Sequence, residues 1–213
     1  MTTLDPITYN RIRPLKNQIR TNKLDLRYFI TITYWYRNTD YYSVVEDNKL
    51  LKNHIKDFFG SMGMIFFIEK HTDPESNHFH GFHRHLVLEE IPDEALMNPS
   101  QKLTNFLSAT DPEALFDFKF TGSIPSEKKQ VLLKKVIRTC NRVPNGVLGL
   151  DVKPIHDLDN LLGYCTKQFE RFLPSYEVID STNSDLDIRH FINRKHDGIN
   201  WIQRHQASFA RQN

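Results

Sequence analysis

His83-Arg84-His85-Leu86-Val87-Leu88 alternates in kind along its length. Side chains of an extended strand point to opposite faces in turn, so Leu86 and Leu88 share one face and His83, His85 and Val87 the other. The aliphatic face asks for helices over it, and the imidazole face is left toward a ligand. Two histidines one residue apart on a strand can hold a single metal ion. Arg84 falls on the aliphatic side and points away from that ion. Glu69, on the strand before, is the nearest acidic candidate for a third ligand. A carboxylate oxygen suits Mg2+ or Mn2+, hard ions that two imidazoles alone rarely retain.

Met64 to Lys70 reads as that preceding strand. It is entered through Gly60-Ser61-Met62-Gly63 and left through a long loop, His71 to Phe82, containing Asp73-Pro74 and Ser76-Asn77. The loop holds His71 and a second pair, His78-Phe79-His80, but Gly81 follows instead of an aliphatic run, so these histidines rank behind His83 and His85. Upstream, Tyr28 to Tyr36 forms a β-branched and aromatic strand with Ile30 and Ile32 facing one way, Thr31 and Thr33 the other. Both threonines fall beside the histidines if the two strands are neighbours. A helix is expected around Asn48 to Phe59, where Leu51, Ile55 and Phe58 recur at helical spacing.

Downstream, residues 92–125 read as a helical insertion, with Asn98-Pro99 and Asp111-Pro112 as helix starts. An amphipathic helix, Glu127 to Thr139, the turn Pro144-Asn145-Gly146 and a strand, Val147 to Ile155, follow. This order implies an α+β domain, residues 28–176, whose mainly antiparallel sheet carries helices on one face and its site on the other. Residues 1–27 are then a basic N-terminal segment, and residues 177–213 a basic tail, helical in part.

Asp157 is a plausible N-cap for a helix from Leu158 to Phe172. Leu158, Leu161, Leu162, Cys165, Phe169 and Phe172 form its apolar stripe, and Tyr164, Lys167, Gln168 and Arg171 lie to one side. A phenol ionises near pH ~10, so a nearby ammonium such as Lys167 and a metal-polarised phosphate would both help Tyr164 act as a nucleophile. Cys165 points into the stripe.

A chain of 213 residues can bury roughly 70% of its unfolded surface without staples. Cys140 and Cys165 form no CxxC pair, and the longest apolar runs fall far short of the ~20 residues of a membrane span. A non-secreted protein of a reducing compartment with no membrane partner is expected. The net charge is only +2, but the charges are segregated. Arg11, Arg13, Lys16, Arg20, Lys23 and Arg27 cluster near the start, Lys128, Lys129, Lys134, Lys135, Arg138 and Arg142 in the middle, and Arg189, Arg194, Lys195, Arg204 and Arg211 near the end. Segregation of this kind fits a surface that faces a polyanion, and equally the solvated faces of ordinary helices.

Together these segments resemble the HUH endonucleases, specifically the single-tyrosine rolling-circle replication initiators. Phe29-Ile30-Thr31-Ile32-Thr33-Tyr34 looks like their first motif, His83 to Leu88 like the metal-binding motif, and Tyr164-Cys165-Thr166-Lys167 like the YxxK nucleophile motif. The resemblance spans about residues 27–172. Arg84 departs from it, standing where the family usually has a bulky hydrophobic residue. No GxxxxGK[ST] phosphate loop occurs.

The resemblance implies a ferredoxin/RRM-like sheet of about five strands. It also implies sequence-specific nicking and rejoining of single-stranded or origin-hairpin DNA. Tyr164 and Lys167 would be catalytic, His83, His85 and Glu69 would hold Mn2+ or Mg2+, and Thr31, Thr33, Gln168, Arg171, Lys134 and Lys135 would contact DNA. A host polymerase and helicase would be partners, in a bacterial or archaeal cytoplasm or in the nucleus of a eukaryotic virus's host. A relaxase or transposase would use the same chemistry. Two other readings stay open. One is a non-catalytic module that stacks unpaired bases on Tyr34, Trp35 and Tyr36. The other is a structural metal protein.

Overall fold

A four-stranded antiparallel sheet organises the chain, in the order β2-β3-β1-β4. The computed structural model describes residues 5–34, 40–70, 81–113, 124–140, 147–168 and 178–186. Within them run α1 (Pro6–Thr21), β1 (Leu26–Tyr34), α2 (Tyr41–Phe59), β2 (Met64–Lys70), β3 (Phe82–Glu89), α3 (Asp93–Met97), α4 (Gln101–Thr110), α5 (Ser126–Arg138), β4 (Val147–Pro154) and α6 (Leu158–Cys165). β1-α2-β2 and β3-α5-β4 interlock as two split β-α-β units, the ferredoxin-like arrangement. The expected α+β class and antiparallel sheet are present, with four named strands among the described residues instead of about five.

The alternation read in β3 sorts the two sides of the sheet. Tyr28, Ile30, Ile32, Met64, Phe66, Leu86, Leu88 and Val152 are buried with Leu51 and Ile55 of α2, Leu103 of α4 and Leu133 and Val136 of α5. A fully buried aliphatic side chain of this kind contributes roughly 1.5–3 kcal/mol. The other side is not bare. Ile65, Phe67 and Val87 are covered by Ile12, Leu15 and Ile19 of α1 and by Leu162 and Cys165 of α6. Helices therefore lie on both faces, and the site occupies the corner that α1 and α6 leave.

α1 was not anticipated, since residues 1–27 read only as a basic segment. Asp5 caps it, accepting from the amides of Ile7 and Thr8 at 3.0 Å, with Pro6 in the first turn. α2 starts at Tyr41, earlier than Asn48, because Asp40 accepts from the Ser43 amide at 3.0 Å. It stops at Gly60, whose φ of 82° favours glycine.

Residues 178–186, placed in the tail on sequence, pack against the outer edge of β2. The Ile68 amide donates to Val178 O at 2.7 Å, and the amides of Asp180 and Asp185 donate to Phe66 O and Met64 O at 3.0 and 2.7 Å. Val178, Ile179 and Leu186 are buried there. Residues 114–123 of the expected insertion, the turn at 144–146 and the tail from 187 lie outside the described residues.

Beneath β3, Arg84 is fully buried on the aliphatic side, where the alternation puts it. Its Nη1 donates to Asn48 Oδ1 at 3.0 Å, and Asn48 Nδ2 donates to Asp180 Oδ2 at 2.9 Å. Asn183 Nδ2 also donates to Asp180 Oδ2, at 2.6 Å. A buried cation and a buried carboxylate are thus joined through an amide relay that ties β3 to α2 and to the chain beyond α6.

Candidate active site

The register of the sheet brings the three acid and imidazole side chains together. Glu69 of β2 stands opposite His83 of β3, and Phe67 opposite His85. Glu69 Oε2 lies 3.3 Å from His83 Nε2 and 3.1 Å from His85 Nε2. One ligand atom from each residue fits within 4.8 Å of the others, a donor set of two nitrogens and one oxygen suited to a divalent ion. The other carboxylate oxygen, Oε1, is 2.5 Å from Lys167 Nζ. Glu69 therefore divides its two oxygens, one toward the imidazoles and one toward the lysine.

Burial alone raises the Glu69 carboxyl, but hydrogen bonds from His83, His85 and Lys167 outweigh it and hold the group well below the usual range. A carboxyl depressed by folding contributes stability that is in place above its unfolded value, about 4.3, and is lost as pH falls toward the folded value. Urea midpoints should drop between about pH 5 and about pH 3, and drop less in Glu69→Gln. Identical slopes for the two proteins would rule out this contribution. Burial pushes the His85 imidazole down, against the opposing pull of Glu69, which favours the neutral form that can act as a ligand.

Thr31 is opposite His85 in the β1–β3 register, and its hydroxyl lies 3.1 Å from His85 Nδ1. With Nε2–H donated to Glu69, Nδ1 accepts from the Thr31 hydroxyl; in the other tautomer Nδ1–H donates to Thr31 and Nε2 is free to ligate an ion. A residue expected to touch DNA thus holds a candidate metal ligand from within. Thr31→Val should weaken Mn2+ binding by about tenfold in titration calorimetry, and wild-type affinity would remove this role. Thr33 is on the same face two residues on, opposite Gly149 of β4.

Tyr164 sits in the last turn of α6 with 45% of its surface exposed. Its ring is 5.5 Å from the His85 ring and 6.4 Å from Phe29, which itself stacks on His85 at 5.0 Å. Lys167 Nζ stands 3.8 Å from the centre of the Tyr164 ring. Burial lowers the Lys167 ammonium, but its bond to Glu69 more than reverses that, so the group is raised and carries its charge at neutral pH. Cys165 is buried, and burial pushes its thiol up, away from the thiolate.

The helix ends at Cys165, short of the expected Phe172. Thr166 Oγ1 turns back to Leu162 O at 2.6 Å, a side-chain bond that competes with the next helical turn. Gln168, expected at the DNA surface, is buried instead. Its Nε2 donates to Lys70 O at 2.8 Å and its Oε1 accepts from the Lys70 amide at 3.0 Å, pinning the end of β2. Lys167 reaches the site from this turn and not from the helix.

Lys134 and Lys135 do not join the cluster. α5 covers the opposite face of the sheet, and Lys135 is paired with Asp111 at 3.1 Å. Arg171, His71, His78, His80, Trp35 and Tyr36 lie outside the described residues, as does the side chain of Tyr34. Sequence reasoning missed Phe29, although strand alternation puts it on the side of Thr31. It also missed Asn48 and Asp180, for which a charged residue at a core-facing strand position is the only local signal.

No helix among the described residues is long and apolar enough to cross a membrane. Set against family models, curated proteins and solved structures, the chain matches none of them.

Proposed function

We propose that this chain is a metal-dependent, sequence-specific single-stranded DNA endonuclease and strand transferase of the HUH type, a single-tyrosine initiator of rolling-circle replication. One observation supports this reading above the others. An exposed tyrosine lies 5.5 Å, ring to ring, from a histidine that shares a carboxylate with a second histidine. The donor set fits a divalent ion, with His83, His85 and Glu69 as its ligands and Mn2+ or Mg2+ as the ions such donors favour. Such an ion, when bound, polarises the scissile phosphate as a Lewis acid.

The chain's own residues account for the rest. The Tyr164 oxygen attacks phosphorus, and the bond from phosphorus to the 3′ oxygen breaks. The departing oxygen takes up a proton to become a free 3′-hydroxyl, and the phenol proton passes to solvent. A 5′-phosphotyrosine bond replaces the phosphodiester, so a later attack by a 3′-hydroxyl reseals the strand and releases Tyr164. Lys167, held as an ammonium by Glu69, cannot serve as the base. It steers Tyr164 and offsets the negative charge that develops on the phenolic oxygen. The free 3′-hydroxyl is the end that a host polymerase extends, with a host helicase to open the duplex ahead.

The test is a single-stranded library of random sequence carrying a 3′ fluorescent label, incubated with protein and Mn2+. A labelled protein band that survives denaturation is expected, and it should disappear with a chelator. Binding with no such band under any divalent ion would return the chain to the class of non-catalytic binders.

A further inference from the structure

α1 and α6 run antiparallel across the site side of the sheet. Lys16 meets Asp159 in the first turn of α6 at 2.6 Å, while Arg11 meets its last turn. Arg11 Nη2 donates to Gly163 O at 3.2 Å and Arg11 Nε donates to Thr166 Oγ1 at 3.2 Å. One guanidinium thus grips the residue before Tyr164 and the residue two after it. The last carbonyls of a helix lack partners within the helix, and the last turn frays unless something outside takes them up. A planar fork with several fixed donors can hold two acceptors at once, and a cation there also complements the helix dipole. Thr166 completes the clamp, since its hydroxyl accepts from Arg11 while donating to Leu162 O at 2.6 Å.

We infer that Arg11 is a positioning residue for Tyr164, locking the exposed last turn of α6 so that the phenol stays aimed at the histidine pair. The inference rests on Tyr164 being the nucleophile. Arg11 touches neither the phenol nor the three ligand residues in the contacts described, so its effect passes through the α6 backbone. Attack in line on phosphorus tolerates little misplacement, and an error of about 1 Å can cost about a hundredfold in rate.

The experiment compares wild type with Arg11→Ala, Arg11→Lys, Thr166→Val and Lys16→Ala. The substrate is a 3′-labelled single strand carrying the junction sequence that the wild-type protein selects from the random library. Single-turnover adduct formation is followed across DNA concentrations, with Mn2+ binding measured by calorimetry.

Arg11→Ala and Thr166→Val should lose roughly tenfold to a hundredfold in the rate at saturating DNA. The half-saturating DNA concentration and the Mn2+ affinity should not change. Arg11→Lys, with a charge but no fork, should recover only part of the rate. Lys16→Ala cuts a contact at the far end of the same helix pair and should keep the wild-type rate. An equal loss in Lys16→Ala, a wild-type rate in Arg11→Lys, or a loss confined to half-saturation would each overturn the inference. If Arg11→Ala does not fold, Arg11→Lys and Thr166→Val decide by the same criteria. Wild-type protein that forms no adduct removes the nuclease reading and this inference with it, whereas an active wild type with undiminished Arg11 variants removes this inference alone.

Discussion

Tyr164→Phe should abolish the proposed covalent DNA adduct while leaving the fold and the cluster of Glu69, His83 and His85 in place. The substitution deletes one oxygen from a half-exposed side chain, and the ring keeps its contacts with His85, Phe29 and Lys167. Stability should stay within about 0.5 kcal/mol of wild type. Mn2+ affinity should not move, because the three ligand residues are untouched. The loss in cleavage should be on the order of 10⁴-fold or more, as expected when a nucleophile is removed and its surroundings survive. Cys165 cannot substitute, since it is buried and its thiol is pushed up away from ionisation. Adduct formation by Tyr164→Phe at a rate near wild type would mean that another residue is the nucleophile, and mapping the labelled peptide would name it.

Asp180→Ala should cause the largest loss of stability among single substitutions outside the core. Asp180 is 1% exposed. Its carboxylate accepts from Asn48 Nδ2 at 2.9 Å, from Asn183 Nδ2 at 2.6 Å and from the amides of Thr182 and Asn183 at 3.1 Å. Through Asn48 it also compensates the buried charge of Arg84. Removing it strands the Asn48 and Asn183 amides and the backbone donors of Thr182 and Asn183, and unties Asn48 from its place beside Arg84. Each stranded buried donor costs about 1–3 kcal/mol, so a loss of about 3–5 kcal/mol is expected. Urea unfolding should show that drop, with a melting temperature lower by on the order of 10 °C. Asp180→Asn keeps acceptor oxygen in place and should lose distinctly less. A change in Asp180→Ala under about 0.5 kcal/mol would show that water or other groups satisfy Arg84 and Asn48 equally well.

Much of the fold was legible because it is local. Strand alternation is a property of the backbone, so the faces of β1, β2 and β3 followed from residue type alone, and with them the meeting of Glu69, His83 and His85. The cap at Asp157 was legible for the same reason. α1 was hidden by Pro14 in its interior and by a basic, polar surface. Its buried positions, Ile12, Leu15 and Ile19, do follow helical spacing. The early end of α6 was not legible, because it depends on Thr166 turning back to Leu162 and on Gln168 being drawn to Lys70, partners nearly a hundred positions apart in the second case. Nor were the roles of Thr31 and Gln168, whose polar ends turn out to be taken up inside the protein. A sequence shows that a polar group exists and not whether the fold has already satisfied it.

The way the sheet is bordered bears on how copies of this molecule could associate. One lateral margin is covered by the chain's own residues 178–185, which take the Ile68 amide and both groups of Met64 and Phe66, and by Gln168, which takes both groups of Lys70. At the other margin Gln130 covers the Val152 carbonyl, and Asp151 and Lys153 stand paired and exposed along the border. A foreign strand finds no open ladder at the first margin and a charged, partly stoppered one at the second, the condition that keeps open sheets from stacking edge to edge. Neighbouring copies would then have to meet through their helices instead of through their sheets.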